Sequence, residues 1–133
     1  MVARIKIAGS EDALHQQIAD YLRMQYPNVL FHSDFGSGIK LTIGQAAKQK
    51  RLQGGRRAWP DIQICEVRHG AAGLFIELKK EGTRLWKKDG LAASDHIAEQ
   101  QTVGIELMKR GYKFTFCVGF EEAKKVIDSY LKG

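Results

Sequence analysis

Apolar positions along the chain change period several times, and each change marks an element. Leu14, Ile18, Tyr21, Leu22 and Tyr26 recur every three or four residues and predict an amphipathic helix. Ser10 suits its N-cap, Glu11 and Asp12 put negative charge in a first turn that favours it, and Pro27 lies just past its end. Val29–His32 is a short strand candidate, followed by the glycine-rich loop Asp34–Gly38. Lys40–Gln53 is polar, basic and weakly amphipathic, the pattern of a loose helix broken at Gly54-Gly55-Arg56-Arg57. After Pro60 the pattern shortens: Asp61–Val67 and Leu74–Lys80 read as two strands joined as a hairpin through His69–Gly73. A charged loop, Glu81–Gly90, leads to a helix capped by Ser94, in which Ile97, Gln101, Gly104, Ile105 and Met108 share a face. Lys109 and Arg110 suit its last turn and Gly111 a left-handed stop. Tyr112, Phe114, Phe116 and Val118 then alternate along a strand, and Glu121–Leu131 closes as a helix with Ala123, Val126, Ile127, Tyr130 and Leu131 on one face. This order predicts an α/β (α+β) fold, a central mixed sheet flanked by helices.

Composition narrows the picture. The 133 residues suffice for one domain, 1–133, with no repeat, linker or low-complexity segment. At 44% hydrophobic and 27% charged, the chain can bury a core, which excludes disorder by composition. Lys and Arg exceed Asp and Glu by 21 to 15, and the resulting +6 charge favours a polyanionic partner. Cys65 and Cys117 lack ligand spacing and sit in apolar stretches, as free cysteines in a reducing compartment do. The four histidines also lack ligand spacing, which argues against zinc. Met1–Ile7 alternates charge with apolar residues rather than holding a signal core, and no apolar run is long enough to span a bilayer. The expectation is a soluble cytoplasmic protein with no membrane partner.

The chemistry concentrates in Pro60-Asp61 and Phe75-Ile76-Glu77-Leu78-Lys79. Alternation puts Leu74, Ile76 and Leu78 on one strand face and Phe75, Glu77 and Lys79 on the other. Asp61 begins the neighbouring hairpin strand, so its carboxylate can approach Glu77. Two crowded carboxylates repel, and a bound Mg²⁺ resolves the conflict. Such an ion can polarise a phosphoryl oxygen, while Lys79 orients or deprotonates water or stabilises developing negative charge.

These residues resemble the PD-(D/E)XK nuclease signature and, more narrowly, a stand-alone VRR-NUC (virus-type replication–repair nuclease) domain of phage or bacterial type. The likeness rests on Gly55…Pro60-Asp61, on Leu74-Phe-Ile-Glu-Leu-Lys79 with Gly82 after it, on Glu99-Gln100 before Gly111-Tyr112, and on the helix beginning at Glu11. It implies a restriction-endonuclease-like core with Asp61, Glu77 and the backbone carbonyl of Leu78 as ligands of Mg²⁺ or Mn²⁺. Glu11 would reach the same metal site, Lys79 would be the catalytic lysine, and Gln100 would order the site or contact the phosphate. It further implies a DNA endonuclease acting in repair as a homodimer on branched, Holliday-junction-like DNA. The loop Glu81–Gly90 departs from the shortest family members.

Plainer readings stand beside these. Asp61 alone is an ordinary turn carboxylate, Glu77 and Lys79 alone an edge-strand pair, and Glu11 alone a macrodipole partner. Lys40, Lys48, Lys50, Arg51, Arg56 and Arg57 form the densest basic patch; a solvated face is the usual meaning of such a run, but its place before Asp61 favours DNA phosphates. Trp59 and Trp86 suit packing or base stacking, and His32 and His96 suit polar contacts near the site. The alternatives to junction cutting are flap or nonspecific DNA cleavage, a catalytically silent DNA-binding module, and RNA as substrate.

Overall fold

The structure, a computed structural model, describes residues 11–34, 41–55 and 58–133. Ser10, Lys40, Arg56, Arg57 and most of the glycine-rich loop therefore lie outside the described residues. Helix α1 spans Glu11–Gln25, and strand β1, Phe31–Ser33, starts two residues and ends one residue later than the hydrophobic pattern suggests. The loose helix is α2, Ile43–Leu52, started by a reciprocal capping box between Thr42 and Gln45. Strands β2 (Ile62–Ile64) and β3 (Leu74–Lys79) form the expected antiparallel hairpin. Helix α3 (Asp95–Lys109) carries its Ser94 cap, with the Ser94 hydroxyl accepting from Ile97 N, and ends at Gly111 with φ +95°, a left-handed stop that glycine adopts without strain. Strand β4 (Lys113–Val118) and helix α4 (Gly119–Lys132) complete the chain.

The sheet order is β1-β2-β3-β4, antiparallel except for the parallel β3/β4 pair that α3 connects. It is a mixed four-stranded sheet with helices on both faces. On one face, Leu14, Ile18 and Leu22 of α1 and Ala123, Ile127 and Tyr130 of α4 pack against Ile62, Ile64, Leu74, Ile76, Leu78 and Cys117. On the other, Val103 and Leu107 of α3 cover Phe75, Tyr112 and Phe114. Gly104 permits this approach, since a Cβ there would meet the Phe114 ring at 2.2 Å. Away from the site, Asp128 on α4 accepts hydrogen bonds from Tyr21 (2.6 Å) and Tyr26 (2.5 Å) and pins the C-terminal half of α1. Burial works against the Asp128 charge, but the two hydroxyl donors outweigh it and hold the carboxyl below its usual range.

Two readings are corrected. The core face of α3 is Ile97, Gln100, Val103, Gly104 and Leu107; Ile105 and Met108, expected on that face, are 42% and 48% exposed. The helix carries two apolar stripes, and periodicity alone does not say which one meets the sheet. The strand expected over Asp61–Val67 is only Ile62–Ile64, so Cys65, although set in an apolar stretch, is exposed. Among the described residues, no helix is long and apolar enough to cross a membrane.

Candidate active site

The hairpin register does most of the positioning. Ile62 pairs with Ile76 and Ile64 with Leu74, so extending the ladder by one position sets Asp61 opposite Glu77. Both then lie at the sheet end where β1 and β3 finish and β2 starts, on the α3 side of the pleat with Gln63 and Phe75. All six residues of β3 are buried, so Glu77 and Lys79 are enclosed rather than set on an open face. Asp61 Oδ2 accepts the backbone N–H of Leu78 at 2.7 Å, which ties the aspartate to the strand bearing Glu77.

Among the described residues, the buried polar or charged side chains are Asp61, Glu77, Lys79, Gln100 and His15. The first four belong to the set expected to do the chemistry; the fifth expected residue, Glu11, is half-buried at the start of α1. Burying charge without compensation is costly, so Asp61, Glu77 and Lys79 brought together at one sheet end form a candidate site. Two buried side-chain atoms among the described residues lack a hydrogen-bond partner, Glu77 Oε1 and Gln100 Oε1. Native folds leave few such atoms, and the first belongs to the Asp61–Glu77 pair.

The electrostatics agree with the geometry. Burial first, and then the charge and hydrogen bond of the adjoining Asp61, push the Glu77 carboxyl up to about 11. Lys79 pulls in the opposite direction, and the charge of Glu11 adds a smaller rise, which places Glu11 within electrostatic reach. Two touching carboxyls, one with an unsatisfied oxygen, fit a divalent cation that would replace the shared proton. Among the described residues no group of three His, Cys, Asp or Glu side chains stands ready as a complete metal cage. A pair of carboxylates completed by water and substrate phosphate is nonetheless an ordinary Mg²⁺ arrangement.

Gln100 lies on the buried face of α3, its Nε2 3.2 Å from His96 Nε2. Trp59 is fixed by its ring N–H to Gln53 O (3.2 Å) and by a tilted contact with Phe75. It borders a recess of about 210 Å³ shared with His32, Gln63 and Asp61. Trp86 packs edge-on against Phe116, the β4 residue paired with Glu77. Lys48, Lys50 and Arg51 lie exposed on α2, a helix with no buried residue. Lys50 lines a cleft of about 590 Å³ between α2 and His96 of α3.

His15 is the residue that the sequence pattern did not single out. It is 6% exposed, with Nε2 3.5 Å from Asp61 Oδ1 and Nδ1 3.4 Å from Ser33 Oγ. It sits one turn after Glu11, and this four-residue spacing was the available signal; the apolar stripe of Leu14 and Ile18 around it masked it.

No family model matches the sequence, and no curated protein matches it. Among solved structures, one described as a "VRR_NUC domain protein" is similar over 98% of this chain and 92% of its own length, at 23% identity and a TM-score of 0.66. The chain therefore has the fold of a VRR_NUC domain protein.

Proposed function

We propose that this protein is a Mg²⁺- or Mn²⁺-dependent deoxyribonuclease whose reaction centre is Asp61, Glu77 and Lys79. The observation that carries the reading is the buried Asp61–Glu77 pair with its unsatisfied Glu77 oxygen beside a buried lysine. A catalytically silent binding module gains nothing from carboxyls held this way in front of phosphate. A bound divalent cation supplies charge neutralisation and polarisation of a phosphoryl oxygen. Asp61 and Glu77 would hold it, joined by the Leu78 carbonyl and by Glu11 from α1. Lys79 shares the strand face of Glu77; its ammonium positions water or stabilises the charge that develops on the phosphate. Gln100 of α3 would supply a buried amide, and its unpartnered carbonyl suits a water or an ion's hydration shell.

The substrate is DNA, with Lys50 and its neighbours Lys48 and Arg51 meeting phosphates across the α2 cleft. Lys40, Arg56 and Arg57 extend the same stretch in sequence. Branched DNA, cut by a homodimer in the cytoplasm, is the finer form of this proposal. A two-fold pair is supported by the edge position of β4 among the described residues and the apolar groove of about 300 Å³ beside it, where Ile105, Met108, Phe114 and Phe116 meet Trp86.

The test is a cleavage panel of four-way junctions, flaps and linear duplexes with Mg²⁺ and with Mn²⁺, using the parent and Glu77→Ala. Metal-dependent cleavage lost in the variant supports the reading, and preference for junctions over flaps supports its finer form. A parent that binds DNA but cuts none of these substrates with either metal overturns it in favour of the binding module.

A further inference from the structure

The residue that most needs explaining is His15. An imidazole buried on the core side of α1 loses its hydration, and it persists there only if its two nitrogens find partners. The partners are specific. Nε2 faces Asp61 Oδ1 at 3.5 Å, and Nδ1 faces Ser33 Oγ at 3.4 Å. A carboxylate can only accept, so Nε2 carries the proton; Nδ1 is then the acceptor for the Ser33 hydroxyl. Asp61 is thereby gripped from two elements, its Oδ2 by the Leu78 N–H of β3 and its Oδ1 by the imidazole of α1.

We infer that His15 is a positioning residue, which fixes the rotation of the Asp61 carboxylate so that it and Glu77 face one cation, with Ser33 setting the tautomer. This rests on the nuclease reading, and it adds a chain Ser33–His15–Asp61 that links β1 and α1 to the reaction centre. A hydrogen-bonded group behind a metal-holding side chain commonly contributes roughly 10- to 100-fold in metal affinity or activity. The same helix turn carries Glu11, so α1 delivers both residues together.

The experiment uses two amide replacements. His15→Gln places an amide nitrogen near the Nε2 position and keeps the donor to Asp61. His15→Asn places one near Nδ1 and is too short to reach Asp61. Mn²⁺ affinity is measured by titration calorimetry without DNA, alongside the parent, and thermal unfolding in EDTA establishes that each variant folds. The expected result is a loss of Mn²⁺ affinity of about 10-fold or more in His15→Asn, with His15→Gln close to the parent and kcat following the same order. Equal affinity in all three proteins overturns the inference while the nuclease reading stands. Equal, severe loss in both variants also overturns it, because the imidazole itself would then be the ligand. A parent that binds no Mn²⁺ removes the metal reading and the inference with it. If His15→Asn does not fold, His15→Leu takes its place under the same expectation.

Discussion

Replacing Glu77 by glutamine should stabilise the metal-free protein while abolishing its activity. The folded Glu77 carboxyl keeps its proton to about 11, whereas the unfolded chain releases it at its ordinary 4.5. Below 4.5 both states hold the proton and Glu77 carries no penalty. As pH rises only the unfolded chain ionises, so the fold loses about 1.4 kcal/mol for each unit until the buried group itself titrates. From 4.5 to pH 7 this amounts to about 3 kcal/mol, and the figure depends on the unfolded value alone because the folded one lies far above pH 7. Glutamine removes that proton equilibrium and still offers Asp61 a donor. In a chain of this size the gain corresponds to about 10 °C in Tm. The assay is thermal unfolding in EDTA at pH 7 and at pH 4. A Glu77→Gln protein no more stable than the parent at pH 7, or one whose advantage persists undiminished at pH 4, refutes the reasoning. Adding Mn²⁺ should raise the parent's Tm and leave the variant's nearly unchanged.

Three further outcomes follow from the same geometry. Lys79→Ala should cut the cleavage rate by about 100-fold or more while DNA affinity, measured by fluorescence anisotropy, stays near the parent's. Lys50→Glu should weaken DNA binding and lower the slope of log K against log salt by about one, and an unchanged slope would take α2 out of the interface. Ile105→Glu should convert a dimer to a single-chain mass in sedimentation equilibrium, and a parent already at single-chain mass would remove the paired arrangement.

Much of this site was legible because β3 sets its own constraints. Leu74, Ile76 and Leu78 could face only a core, so Glu77 and Lys79 had to share the opposite side, and Pro60-Asp61 at the hairpin's far end supplied the second acid. Gln100 rests on the register of the family resemblance, and the structure buries it, although the apolar face expected for its helix was rotated toward Ile105 and Met108. That stripe is real, but it borders the β4 edge instead of the core. His15 escaped notice for a different reason: a polar residue within an apolar stripe carries no signature until a partner arrives from elsewhere, here from Asp61 and Ser33. Long-range pairing of that kind has no periodicity to read.

The tyrosine clamp on Asp128 gives the molecule a remote lever. Tyr21 and Tyr26 fasten the far half of α1 to α4, and the near half of the same rigid rod ends at Glu11 and His15. A helix pinned at one end swings at the other, so freeing the clamp translates into lateral drift at the carboxylates. Asp128→Asn keeps the side chain's shape but weakens both acceptor bonds. Its first symptom should be a softened grip on Mn²⁺ in a calorimetric titration, ahead of any large fall in unfolding temperature. Precision at the reaction centre would then be governed from the opposite end of the domain, by a residue that never approaches the substrate.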